Sequence, residues 1–91
     1  MILNYQEDLV KQALQEMISS LDLSLAIDSI EDISCLALNR LPARYIRHRV
    51  DNTFYMTIGE QQRLQQAARR AVLEAWQFIN QPGSRKPESQ T

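Results

Sequence analysis

Hydrophobic residues recur every three or four positions along the first quarter of the chain, and polar residues fill the positions between them. This spacing places the apolar side chains on one face of an α-helix. Asn4 precedes the pattern, and asparagine favours the cap position of a helix. We therefore predict a first helix over residues 5–20. Its apolar stripe consists of Leu9, Val10, Ala13, Leu14, Met17, Ile18 and Leu21.

A second helix is predicted to start at Asp28-Ser29-Ile30-Glu31, which has the pattern of a capping box. Pro42 ends it, because the residue before a proline is pushed out of the helical region. Cys35 lies within this helix and is predicted to be a small core residue. The core stripe is Ile30, Ile33, Ala37 and Leu41, with Leu36 and Leu38 beside it.

Residues 45–50 alternate in polarity, and residues 53–58 are rich in β-forming side chains. Asp51-Asn52 between them is typical of a turn. The pattern predicts either a short hairpin or an extended loop. A lone ribbon of two strands is marginally stable, so it must lie on helices or on a partner subunit.

The last helix is predicted over residues 58–80, after a second capping-box pattern at Thr57-Ile58-Gly59-Glu60. Asn80, Pro82 and Gly83 end it. Its apolar stripe is Leu64, Ala68, Ala71, Val72, Ala75, Trp76 and Ile79. Residues 81–91 contain no aliphatic or aromatic side chain, and we expect them to be disordered. The fold class is mostly α: one small three-helix domain over residues 1–80, with the hairpin or loop between helices two and three.

A chain of 91 residues forms a thin core, and a two-fold homodimer is a natural way to bury more apolar surface. Its one cysteine excludes an internal disulfide and a cysteine-rich zinc site. No run of 18 apolar residues and no signal-peptide pattern occurs, so we expect a cytoplasmic protein without a membrane segment.

Charge is divided unevenly along the chain. Residues 1–39 carry a net charge of −6, and residues 40–91 carry +5. Four arginines fall within ten residues: Arg40, Arg44, Arg47 and Arg49. Arginine grips phosphate with a planar fork and stacks on rings. Two interpretations stay open, an anion-binding site and a solvated face that complements the acidic half of the same or a partner subunit.

The inventory of catalytic residues is poor, and we predict neither an enzyme nor a metal site. The chain has one histidine, His48, which lies among the arginines, and no phosphate-binding loop or nucleophile motif. The turn after Pro42 instead presents arginines together with Tyr45. Such a group suits a ligand that combines phosphates with flat bases. Nucleic acid is the less favoured ligand of this kind, because the pI is only about 5.7.

Two segments carry a resemblance to a known family. Asn4-Tyr5-Gln6-Glu7-Asp8-Leu9-Val10 resembles the N-x-x-E-x-L-V signature of the late competence protein ComFB family. The segment Ala37–Tyr45 resembles the family's A-L-N-x-L-P-P-x-Y motif, with Ala43 in place of the second proline. Some members carry cysteines before this motif that suggest a zinc site. Only Cys35 is present here, as in the cysteine-poor, cyanobacterial-type members, so we predict no zinc.

The resemblance implies a small helical dimer that binds a cyclic dinucleotide, cyclic di-GMP above all and also cyclic di-AMP, and that passes the signal to a downstream regulatory protein. No other cofactor is expected. In this interpretation the arginines hold the phosphates and guanine edges, while Tyr45 and Tyr5 stack on the bases. The predicted ligand-binding residues are Tyr5, Arg40, Arg44, Tyr45, Arg47 and Arg49. The alternatives are a protein-interaction module without a nucleotide ligand and, less favoured, a DNA- or RNA-binding regulator.

Overall fold

The computed structural model describes residues 2–49 and 56–81, and these residues form three helices and one short ribbon of two strands. The helices are α1 (Tyr5–Ser20), α2 (Ile27–Asn39) and α3 (Ile58–Ile79). The prediction of a mostly helical domain is confirmed, and the predicted bounds of the first and last helices agree with the structure within one residue. The predicted tail falls almost entirely on residues 82–91, which lie outside the described residues.

Side-chain caps begin two of the helices. Asn4 caps α1 by accepting a hydrogen bond from the backbone N–H of Gln6 at 3.2 Å. Thr57 caps α3 by accepting one from the N–H of Glu60 at 3.0 Å. Both caps were expected from the residue types, because short polar side chains satisfy the donors that a helix start leaves open.

The capping box predicted for the second helix is wrong. α2 already begins at Ile27, and Ala26 occupies the cap position without a side-chain hydrogen bond. The N–H of Ile30 bonds to the carbonyl of Ala26 at 3.0 Å, so the helical ladder starts before Asp28 can cap it. Asp28 lies in the first turn instead, where a carboxylate is favoured by the helix dipole.

The ribbon pairs the start of the chain with the segment after α2. Strand β1 (Leu3–Asn4) lies antiparallel to strand β2 (Tyr45–Ile46), with Leu3 opposite Ile46 and Asn4 opposite Tyr45. The predicted hairpin involves residues 50–55, which lie outside the described residues. Tyr45 is extended as predicted, but within the described part of the chain its partner strand is β1.

The core lies where the three helices meet. α1 and α3 run in the same direction, because Glu16 contacts Arg69 at 3.2 Å and Ser20 lies near Leu73 one turn further along both helices. Most of the buried side chains belong to the predicted stripes, but Leu21 at the end of the first stripe is 50% exposed. Half of the buried residues that form the core cluster are alanines, which lets the helices approach closely. The cluster includes Leu9, Val10, Ala13, Leu14, Ile33, Ala37, Ala68, Ala71, Val72 and Ala75.

Cys35 is exposed, and the prediction that it is a core residue is wrong. Ile33 and Ala37, four residues apart, are both fully buried on one face of α2. A residue two positions from each of them points to the other side of the helix, since consecutive residues are turned by about 100°.

Candidate functional site

The arginine-rich segment after α2 is anchored to the N-terminus of α1. The side-chain oxygen Oδ1 of Asn4 accepts a hydrogen bond from the backbone N–H of Arg44 at 2.9 Å. The backbone N–H of Tyr5 donates to the carbonyl of Arg44 at 2.7 Å. Both polar backbone groups of Arg44 are therefore held by the start of α1, and the same Asn4 oxygen also caps that helix.

Gln6 anchors the preceding turn. Its side chain is only 2% exposed, and Nε2 donates to the carbonyl of Pro42 at 3.1 Å. This role of Gln6 was not predicted from the sequence, although a signal was present. Gln6 lies three and four positions before Leu9 and Val10, so it continues the buried stripe of α1. A polar residue on an apolar stripe requires a hydrogen-bond partner when it is buried.

The guanidinium of Arg44 reaches the first turn of the last helix. Its Nη2 lies 3.6 Å from Oε2 of Glu60 on α3. Because the backbone of Arg44 is held by α1, this one residue connects the N-termini of two helices. The side chain still exposes 39% of its surface, so a ligand can approach the guanidinium from solvent.

Arg49 forms the closest ion pair of the cluster. Its Nε and Nη2 contact Oδ2 and Oδ1 of Asp8 at 2.6 and 3.3 Å, so the two side chains meet fork to fork. The hydrogen bond to Asp8 and, next, the charge of that carboxylate raise the pKa of Arg49 above its ordinary value. This pair holds the Arg49 side chain at the first turn of α1.

Arg40 points to a different part of the molecule. Its Nη1 contacts Oε1 of Glu74 at 3.3 Å. Glu74 and Glu60 are fourteen residues apart on α3, which corresponds to about 21 Å along the helix. Arg40 and Arg44 are thus paired to carboxylates near opposite ends of α3, and the structure does not bring their side chains to one point.

The two tyrosines of the predicted site differ in accessibility. Tyr45 is 70% exposed, so most of its surface is accessible to a ligand. Tyr5 is partly buried and packs against the core, which leaves less of its ring available for stacking. Arg47 is exposed and, among the described residues, forms no ion pair. The structure therefore groups Arg44 and Tyr45 with Tyr5 and Arg49 at the N-terminal ends of α1 and α3, and it separates Arg40 from them.

A groove between α1 and α2 has a volume of about 390 Å³. None of the predicted arginines lines it. Its walls are mainly aliphatic, and its polar lining residues are Glu7, Lys11, Gln15 and Ser34.

Two features are absent from the described part of the chain. Within residues 2–49 and 56–81, no three His, Cys, Asp or Glu side chains are grouped so that they could hold a metal ion. No helix in those ranges has the length and apolar character required to cross a membrane.

A family model described as Late competence development protein ComFB matches residues 3–82 of the chain. The match includes α1, α2 and α3 and both segments that carry the resemblance. Comparisons with curated proteins and with solved structures found no match.

Proposed function

The chain belongs to the late competence development protein ComFB family, and from this membership and the arrangement around Arg44 we propose that it is a non-catalytic receptor for a cyclic dinucleotide. The candidate ligands are cyclic di-GMP and cyclic di-AMP. The receptor is proposed to act as a cytoplasmic homodimer that relays the signal to a downstream regulatory protein.

One observation carries the proposal: Arg44 is fixed by its backbone while its guanidinium stays accessible. Asn4 and Tyr5 hold the N–H and carbonyl of Arg44, and the next residue, Tyr45, exposes most of its ring. Consecutive residues of one anchored segment thus carry a cation for phosphate and an aromatic ring for a base. Because the backbone is already ordered, little conformational entropy is lost when the ligand binds.

The dimer follows from the symmetry of the ligand. A cyclic dinucleotide has two phosphates and two bases, and a two-fold dimer presents Arg44 and Tyr45 twice. Ile2 and Ile58, which are more than 70% exposed, lie at the N-terminal ends of α1 and α3 as Arg44 does, and a dimer formed at this end would cover them. Sedimentation equilibrium of the purified protein tests the dimer directly, and cell fractionation tests the cytoplasmic location.

Isothermal titration with cyclic di-GMP and, separately, with cyclic di-AMP tests the receptor function. GTP and ATP serve as controls that carry the same bases and phosphates without the cyclic linkage. We expect micromolar or tighter binding of a cyclic dinucleotide, with one ligand or one intercalated pair per dimer. Absence of both heat and thermal shift with either ligand would refute the proposal.

Two arginine variants make the test specific to the site. Arg44→Ala removes the proposed phosphate contact, and we expect affinity to fall by about tenfold or more, since a charge-assisted contact is lost. Arg69→Ala is the matched control, because Arg69 in the middle of α3 is also paired to a carboxylate, but to that of Glu16 in the C-terminal half of α1. It is expected to bind within about twofold of the original protein.

A protein-interaction module without a nucleotide ligand is the second candidate. The groove of about 390 Å³ between α1 and α2 favours it, because its aliphatic lining suits an apolar side chain of a partner protein. A melting temperature unaffected by every nucleotide, together with a specific protein partner recovered from lysate, would favour this function over the receptor.

A further inference from the structure

Two of the arginines that are proposed to bind the ligand already form ion pairs with carboxylates of the same chain. Asp8 is paired with Arg49, and Glu60 is paired with Arg44. We infer that Asp8 and Glu60 are internal competitors of the ligand phosphates, so that binding exchanges a carboxylate for a phosphate at each arginine. This inference rests on the proposed function and adds to it the residues that set the affinity.

The geometry at Arg49 is the one that a phosphate would adopt. Nε and Nη2 of Arg49 meet the two oxygens of Asp8 in a parallel, bidentate arrangement. Phosphate oxygens bind the same edge of a guanidinium in the same way. Asp8 and a phosphate therefore compete for the same two donors.

The contact at Arg44 is weaker. The distance of 3.6 Å between Nη2 and Oε2 of Glu60 is longer than a hydrogen bond, and both side chains are more than one-third exposed. A phosphate can displace Glu60 from Arg44 at a small cost in free energy, whereas displacing Asp8 from Arg49 costs more. Arg44 is thus the position at which the ligand binds first.

The positions of Asp8 and Glu60 reduce the free-energy cost of losing their arginine partners to the ligand. Asp8 lies in the first turn of α1, and Glu60 lies in the first turn of α3. The partial positive charge of a helix N-terminus stabilises a carboxylate there after its arginine partner has turned to the ligand. The Arg44–Glu60 contact also connects the anchored segment to α3, so its replacement removes one link between that segment and the start of α3.

Neutral variants of the two acids test the competition. Asp8→Asn and Glu60→Gln keep the shape of each side chain and remove its charge. Glu16→Gln is the matched control, because it causes the same change in net charge and breaks the Arg69–Glu16 pair, away from the site. Titration of the full chain with cyclic di-GMP, and with cyclic di-AMP in parallel, is expected to show about two- to fivefold tighter binding for Asp8→Asn and Glu60→Gln than for Glu16→Gln.

The other outcomes separate this inference from the proposed function. Binding by the original protein without a gain in either variant would overturn the competition and leave the receptor intact. Weaker binding by either variant would also overturn it and would make that carboxylate a direct ligand contact, for example to a guanine edge. If neither the original protein nor any of the three variants binds a cyclic dinucleotide, both the receptor function and the competition are refuted. The melting temperature of each variant shows whether it folds. Because Asp8 and Glu60 are changed in separate variants, the effect of each carboxylate is measured on its own.

Discussion

Asn4 fixes the position of Arg44, because its Oδ1 accepts the backbone N–H of Arg44 at 2.9 Å across forty residues of sequence. The two residues belong to the two separate segments that carry the family resemblance, Asn4–Val10 and Ala37–Tyr45. One side chain therefore begins α1 and anchors the proposed site. Loss of either segment would be expected to loosen the other.

Asn4→Ala is expected to lower the free energy of unfolding by about 2 kcal/mol. A helix cap contributes about 1 kcal/mol, and the hydrogen bond to Arg44 contributes a similar amount. Urea unfolding monitored by circular dichroism measures the change. Asn4→Asp keeps the acceptor oxygens and is expected to lose much less stability.

Thr57→Ala is the control for the cap alone. Thr57 caps α3 and, within the described residues, makes no side-chain hydrogen bond to the segment after α2, so this variant is expected to lose only about 1 kcal/mol. Equal losses for Asn4→Ala and Thr57→Ala would mean that the bond to Arg44 adds nothing to stability.

Gln6→Ala is expected to lower the free energy of unfolding by about 2–3 kcal/mol. The change leaves a cavity in the core and removes the donor from the carbonyl of Pro42. Gln6→Met fills the same volume without donating, so we expect it to lose only about 1 kcal/mol. If thermal unfolding shows the same loss for both variants, the volume of Gln6 is irrelevant and the hydrogen bond accounts for the whole effect.

Ala75→Leu is expected to destabilise the protein by about 1–3 kcal/mol, because Ala75 is fully buried where α3 packs against the other helices. Ala67→Leu on the same helix is the control, since Ala67 is exposed and should change stability by less than about 0.5 kcal/mol. Chemical unfolding of both variants measures the difference. Similar stability of the two would contradict the close helix packing described above.

Cys35 is expected to react with a thiol reagent in the folded protein, because its side chain is exposed. Cys35→Ser should then change stability by less than about 0.5 kcal/mol. Ala37→Ser, two residues later, buries an additional hydroxyl and is expected to lose about 1–2 kcal/mol. Labelling of Cys35 only after addition of denaturant would show that the thiol is covered in the native state.

Local patterns were sufficient to predict the helices and two of their caps. The stripe of Leu9, Val10 and Ala13 repeats with the period of a helix, and that period depends only on backbone geometry. The caps at Asn4 and Thr57 follow from the same local chemistry. The start of α2 was missed because Ala26 begins the helix without a side-chain signal.

The strand pairing and the ion-pair partners of the arginines depend on packing between segments that are distant in the sequence. The pairing of Leu3–Asn4 with Tyr45–Ile46 joins residues about forty positions apart, and no local pattern contains that information. The carboxylate partners of Arg40 and Arg44 depend on how α2 and the following segment lie across α3. The cluster of arginines in the sequence was therefore compatible with an anion site and with a solvated face, and the division of its side chains along α3 arises only when the three helices bury their apolar faces against one another.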